Sequence, residues 1–426
     1  MITSGRFAHA PVRFMCRIVL IALLAVAAAF AELSGSFSAA LDHPAIQYDT
    51  RPPSDPVAVL NRKIQAGSVQ LRFEGASGYL RSVLEALRIP IESQLVVFSK
   101  TSLQAPIITP KNPRSLFFND SVAAGWVKGE PFVELAAEDP EQGVIFYTMD
   151  QIPTAKPVFE RQDRCLVCHE SFSSLGIPGT LLRSSFVAAD GQPLRQLGDY
   201  LNDHRSPFEE RWGGWYVTGK RVPAGHLGNT IATNPASAPP VDAASPTSLE
   251  GKFDTSAYLS PYSDIVALMV FDHQMHMINL LTRMGWDTRL ALYQRGDVSH
   301  SVREDAKALV DYLLFIDETP LPGKIEGTSG FAGKFAALGP RDRKGRSLRD
   351  LDLEHRLMRY PCSYMIYSTA FEALPAEAKD AIYRRMWQIL SGQEQRSQYA
   401  RLSSQDRQAI VEILRDTKRD LPPYFD

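Results

Sequence analysis

The residues best placed to do chemistry are Arg164-Cys165-Leu166-Val167-Cys168-His169-Glu170. Each thiol can add to one vinyl group of a haem, and the two-residue gap matches the separation of the vinyls along one porphyrin edge. The imidazole that follows directly then falls beneath the iron as its proximal ligand. This spacing predicts one covalently held haem c, with its iron, attached through Cys165 and Cys168 and ligated by His169. Two other chemistries use paired cysteines. Structural zinc would want two more Cys or His at short spacing, yet after the motif only Cys362 remains, far downstream. A redox dithiol sits between a strand and a helix of a βαβ unit, a pattern these flanks lack.

A sixth iron ligand is harder to place. Small soluble c-type cytochromes supply a methionine some tens of residues after the motif, and here no methionine occurs between His169 and Met269. At about 100° per residue, Met269, His273, His276 and Leu280 share one face of a helix expected over 263–284. His273 and His276 are therefore the candidate distal metal ligands. His226 and His204, in loops, are alternatives, and an open sixth position is another. Between 203 and 216, Arg205 and Arg211 could pair with haem propionates through bidentate hydrogen bonds. Trp212 and Trp215 could cover the porphyrin and donate from their indole nitrogens. Gly213 and Gly214 would let the backbone approach closely. A structured loop with surface arginines and core tryptophans is the bland alternative.

The elements that must carry these residues fall into three stretches. Helices are expected at Pro56–Gln65 and over 78–87. Short β-type runs at 95–98, 116–118, 125–127, 132–135 and 144–147 follow, separated by turn residues, and read as an antiparallel meander. The stretch 158–260 holds the motif and has little periodicity, with an Ala-, Pro- and Ser-rich insertion over 232–247. From 261 the pattern turns helical, at 263–284, 288–293, 304–317, 348–358, 363–373, 376–391 and 405–417, with a Gly-rich loop over 323–345. Ser403-x-x-Asp406 resembles a capping box before the last helix. The expected class is α+β: a mixed region with a β meander over 32–157, an irregular haem-binding centre over 158–260 and a mainly helical region over 261–426.

Residues 1–31 read as a cleaved export signal. Arg6, Arg13 and Arg17 precede an apolar run over 18–30 that ends in Ala29-Phe30-Ala31. The run is short of the roughly 20 residues a spanning helix needs, so no stable membrane span is expected after cleavage. Export to the periplasm also sharpens the reading of the cysteines, because an oxidising space gives a free thiol pair no reason to persist. Apolar residues make up 44% and charged residues 22%, with a formal net charge of −2, which gives nucleic-acid binding no support.

Several strings resemble a known group: 97–102, Phe118-Asn119-Asp120, 143–147, the cysteine motif, 210–219, 264–269 and 402–421. They are similar to those of large, exported, single-haem cytochrome c-like bacterial proteins. The resemblance implies export and haem attachment and carries over no substrate, reaction or catalytic residue. The resulting expectation is a periplasmic monohaem electron-transfer protein serving a redox partner protein. A haem-dependent oxidoreductase of peroxidase-like type and a haem-based sensor are its rivals.

Overall fold

In a computed structural model the described residues are 41–241, 245–294 and 300–425. The expected export signal lies outside them. Two helices come first, α1 (Pro56–Gln65) and α2 (Leu80–Ala86). The Asp55 carboxylate accepts from the Val57 and Ala58 backbone amides ahead of α1, and Pro56 occupies the first turn, where its missing N–H costs nothing.

A seven-stranded antiparallel sheet follows. Its first six strands are β1 (Leu95–Val97), β2 (Arg114–Phe118), β3 (Val122–Val127), β4 (Phe132–Asp139), β5 (Gly143–Asp150) and β6 (Glu160–Arg161). They lie side by side in chain order, as a meander does. The stretch expected to be irregular adds a strand pair of its own, β7 (Arg183–Ser185) with β8 (Asp199–Leu201). It also adds β9 (Trp215–Tyr216), which joins the large sheet beyond β1.

Register assigns the faces. Leu95, Val97, Leu116, Phe118, Val144, Phe146 and Trp215 point to one side, into a core shared with the C-terminal helices. Val96, Phe117, Ala124, Trp126, Leu135, Ile145 and Tyr147 point to the other, onto Val57, Leu60 and Ile64 of α1 and Val83 and Leu84 of α2. Because both faces are covered, the strands read as apolar runs and lack strict alternation. The core on the helical side draws on residues from Leu95 to Phe425, so it crosses both of the boundaries expected at 158 and 261.

After the single turn α3 (Leu166–His169), the C-terminal half is helical: α4 (Ile265–Tyr293), α5 (Ser301–Leu313), α6 (Phe331–Ala337), α7 (Thr369–Glu372), α8 (Ala376–Leu390) and α9 (Ser404–Thr417). The architecture is thus α+β, with the antiparallel sheet in the N-terminal half and helices in the C-terminal half. Three expectations need correction. The helices read at 263–284 and 288–293 are one continuous element, because Met284 and Trp286 are buried at the intended break and packing overrides Gly285. No helix forms over 348–358, where Asp352 accepts from the Glu354 and His355 amides and Leu353 is left-handed, so local side-chain bonds displace the helix. The Gly-rich loop carries α6, anchored where the Asp264 carboxylate accepts from the Thr328 and Ser329 amides at 2.7 Å. No helix among the described residues is long and apolar enough to cross a membrane.

Helix α4 is the central support. Its Phe271 ring lies 4.8 Å from that of Phe118, Gln274 donates to the Asn119 carbonyl, and Thr282 reaches Gly143. The helix therefore crosses one end of the sheet, from β2 to β5.

Candidate haem-attachment site

The Cys-x-x-Cys-His segment hangs from the edge of the large sheet. The Gln162 amide donates to the Phe146 carbonyl at 2.9 Å, and the Gln162 side chain donates to Thr148 Oγ1 at 2.8 Å. A tight turn over Asp163–Cys165 runs into α3. The two thiols differ in exposure: Cys165 and Leu166 pack against the core on the helical side, while Cys168 is exposed and Val167 is 84% exposed. Neither cysteine is in a disulfide. Burial pushes the Cys165 thiol up to about 11, with the Glu134 carboxylate adding to the rise.

His169 is held in one tautomer. Its Nδ1 lies 2.9 Å from the Gly179 carbonyl oxygen, which can only accept, so Nδ1 carries the proton. The Gly179 amide returns the bond to the His169 carbonyl at 2.9 Å. The ring lies 4.7 Å from that of Phe146 on β5. Burial lowers its basicity, and the positive charge of Arg114 lowers it further against the Gly179 bond. Nε2 has no hydrogen bond among the described residues and is left as a lone-pair donor.

The loop that fixes His169 is itself fixed by α4. Asn279 Oδ1 accepts from the Thr180 amide at 2.8 Å, and its Nδ2 donates to the Thr180 carbonyl at 2.7 Å. Thr180 Oγ1 donates to the Met275 carbonyl at 3.0 Å. A Cβ on Gly179 would collide with Asn279 Oδ1, so this close approach requires glycine. Phe146, Gly179 and Asn279 were not legible as site residues, because a carbonyl contact and a ring contact leave no spacing signal.

The other expected site residues gather in a polar cluster whose centre, His204, Arg211, Trp212 and His273, is buried, with His276 half-buried and Arg205 exposed at its edge. His273 Nδ1 and His204 Nδ1 are 2.8 Å apart, and His273 Nε2 is 2.7 Å from Ser363 Oγ. Both ring nitrogens of His273 are therefore used within the protein, against the expectation of a distal ligand. Its ring stacks on Tyr312 and Phe315, and burial lowers its pKa to about 3. His276 Nε2 accepts from Arg205 at 3.2 Å, and burial lowers its pKa to about 4. Arg205 pairs with Asp203 at 2.6 Å, and Arg211 donates to the His204 and Ser206 carbonyls. Trp212 donates from Nε1 to Asp272 at 3.0 Å, and Trp215 donates to the Arg183 carbonyl. These arginines and indoles thus have protein partners. His226 Nε2 lies 2.9 Å from Ser245 Oγ.

The donor set fits a c-type haem better than its rivals. A nucleophilic dithiol needs a lowered thiol pKa, and Cys165 shifts the other way. Among the described residues no group of three or more His, Cys, Asp or Glu is placed to hold a metal ion, which leaves a zinc reading without its remaining ligands. The residues that would hold the haem are Cys165 and Cys168 through sulfur and His169 through Nε2. No family model, curated protein or solved structure matches the chain.

Proposed function

We propose that this chain is an exported, periplasmic, monohaem cytochrome c-like protein that passes electrons to or from a redox partner protein. The observation that carries the reading is the preset His169: Nδ1 fixed on Gly179, Nε2 without a partner among the described residues, and two thiols outside any disulfide one turn away. When bound, haem c supplies one-electron chemistry through its iron. The chain's own contribution is positional and electrostatic. The Gly179 carbonyl orients the imidazole and raises its donor strength, a lever on potential and affinity. The Phe146 ring packs beside the imidazole, with 4.7 Å between ring centres.

A second reading, a haem-dependent oxidoreductase or a gas sensor, is favoured by one observation. Both nitrogens of His273 are used elsewhere and His276 Nε2 is taken by Arg205, so neither imidazole stands ready as a sixth ligand.

The test is production in a host that matures c-type cytochromes. The expected result is a haem-staining band on a denaturing gel and an intact mass heavier than the processed chain by one haem. A mass equal to the polypeptide alone, with no Soret absorbance, sinks the proposal. Low-spin spectra in both oxidation states fit a carrier, whereas high-spin iron that takes up exogenous ligand moves the protein to the second reading.

A further inference from the structure

We infer that the porphyrin carried by Cys165 and Cys168 lies against the helix-facing side of the large sheet, on a floor made by Ala123 and Ala136. This rests on the proposed haem attachment and adds where the group is housed.

The middle strands of a sheet covered on both faces ought to carry bulky side chains inward. On the face toward α1 and α2 they do: Trp126 and Leu135 fill it, and even Ala124 and Ala137 are sealed, at 1% and 0% exposure. One residue away on the opposite face, Ala123 and Ala136 are only half-buried. They are direct register partners, on the same face as Phe118 on one side and Phe146 on the other. Gly125, two positions along, adds no side chain, and the Arg114 guanidinium lies across it. The result is a pair of small, partly open residues on the two middle strands, bordered by the Arg114 guanidinium.

Helix α4 meets this row at Phe118, the register partner of Ala123, and passes on to Asn119 and Gly143, and the two alanines stay partly open beside it. The surroundings identify what covers them. Cys165 and Leu166 pack against the same core as the two alanines. Phe146, the register neighbour of Ala136, holds the His169 ring. The far end is bounded by the largely covered Arg114–Glu134 ion pair at 2.5 Å, whose charges act on the Cys165 thiol. A large, flat, apolar group tethered at Cys165 covers such a pair, and alanine is what lets a planar ring approach a pleated surface. Larger side chains there would occupy its volume.

The test uses haem-loaded protein. Ala136→Phe and Ala123→Leu are each expected to lower the haem-to-protein ratio several-fold or to shift the Soret band and potential, with far-UV circular dichroism unchanged. Ala136→Ser should load as the wild type does. Should the bulky variants fail to fold, Ala136→Cys gives an independent reading. Its alkylation, followed by peptide mass, is expected to be roughly tenfold slower in haem-loaded than in haem-free protein, as for a surface taken out of solvent. Bulky variants with full loading and unmoved spectra, or equal alkylation rates in the two forms, overturn the inference. Wild-type protein that carries no haem would instead defeat the parent proposal, so the two failures are distinguishable.

Discussion

The Nδ1 of His169 and the carbonyl oxygen of Gly179 lie 2.9 Å apart, and the Gly179 amide bonds back to the His169 carbonyl at 2.9 Å. This reciprocal pair joins the motif to α4 through Thr180 and Asn279. Imidazole orientation at the sheet edge is thereby set by a helix more than a hundred residues further along the chain.

Gly179→Ala is expected to disturb that pair, because the new Cβ meets Asn279 Oδ1. A loss of about 1–3 kcal/mol in unfolding free energy is expected, the usual cost of overpacking. The reduction potential should rise as the imidazole loses basicity. Denaturant unfolding and a redox titration check both; an unchanged potential argues that the carbonyl does not tune His169.

Removal of the thiols separates their roles. Cys168→Ser leaves Cys165 as a single attachment point and should still give a haem-staining band, at reduced yield. The double replacement should give none. His169→Ala should keep the covalent bonds and alter the spectrum. A denaturing gel and absorption spectra distinguish the three.

His273→Ala is expected to leave the Soret band in place and to destabilise the fold. The change strips a hydrogen-bond partner from both His204 Nδ1 and Ser363 Oγ and opens a cavity against Tyr312 and Phe315. A cost on the order of 3 kcal/mol follows from an unpaired buried polar group together with a cavity. Urea unfolding measures it, and loss of a low-spin spectrum would restore His273 as an iron ligand.

Glu138 gives a pH signature. It is buried in β4, neither carboxyl oxygen has a hydrogen-bond partner among the described residues, and burial lifts its pKa from 4.5 to about 8, with Asp120 and Asp139 adding to the rise. The folded state therefore binds this proton more tightly than the unfolded chain. Its contribution to stability is fully present below pH 4.5 and is lost as pH rises through 8. Glu138→Gln should remove that loss, so the variant gains over wild type between pH 5 and pH 9 by an amount on the order of 3 kcal/mol. Parallel unfolding curves for the two proteins across that range would reject the assignment.

Much of the frame was legible because it rests on local chemistry. Pro56–Gln65 carries its own cap, the strands of the meander carry their turns, and Ser403 caps α9 by accepting from the Asp406 amide at 3.0 Å. What escaped was set by distant partners. Trp215–Tyr216 is too short to signal a strand until β1 offers it an edge. Helical spacing correctly put His273 and His276 close together on one element, but periodicity cannot say whether an imidazole faces iron or another imidazole. Likewise, Ala123 and Ala136 look like ordinary strand residues until register sets them side by side on a half-covered face.

The cysteine that caps α3 and the cysteine within it sit in unequal places, one against the core beside Leu166 and the other outward beside Val167. That asymmetry bears on biogenesis. If haem is attached as proposed, a maturation enzyme can reach the outer sulfur on a finished chain, whereas the inner one is partly covered by the core it packs against. On that proposal the inner linkage is expected to form before folding is complete.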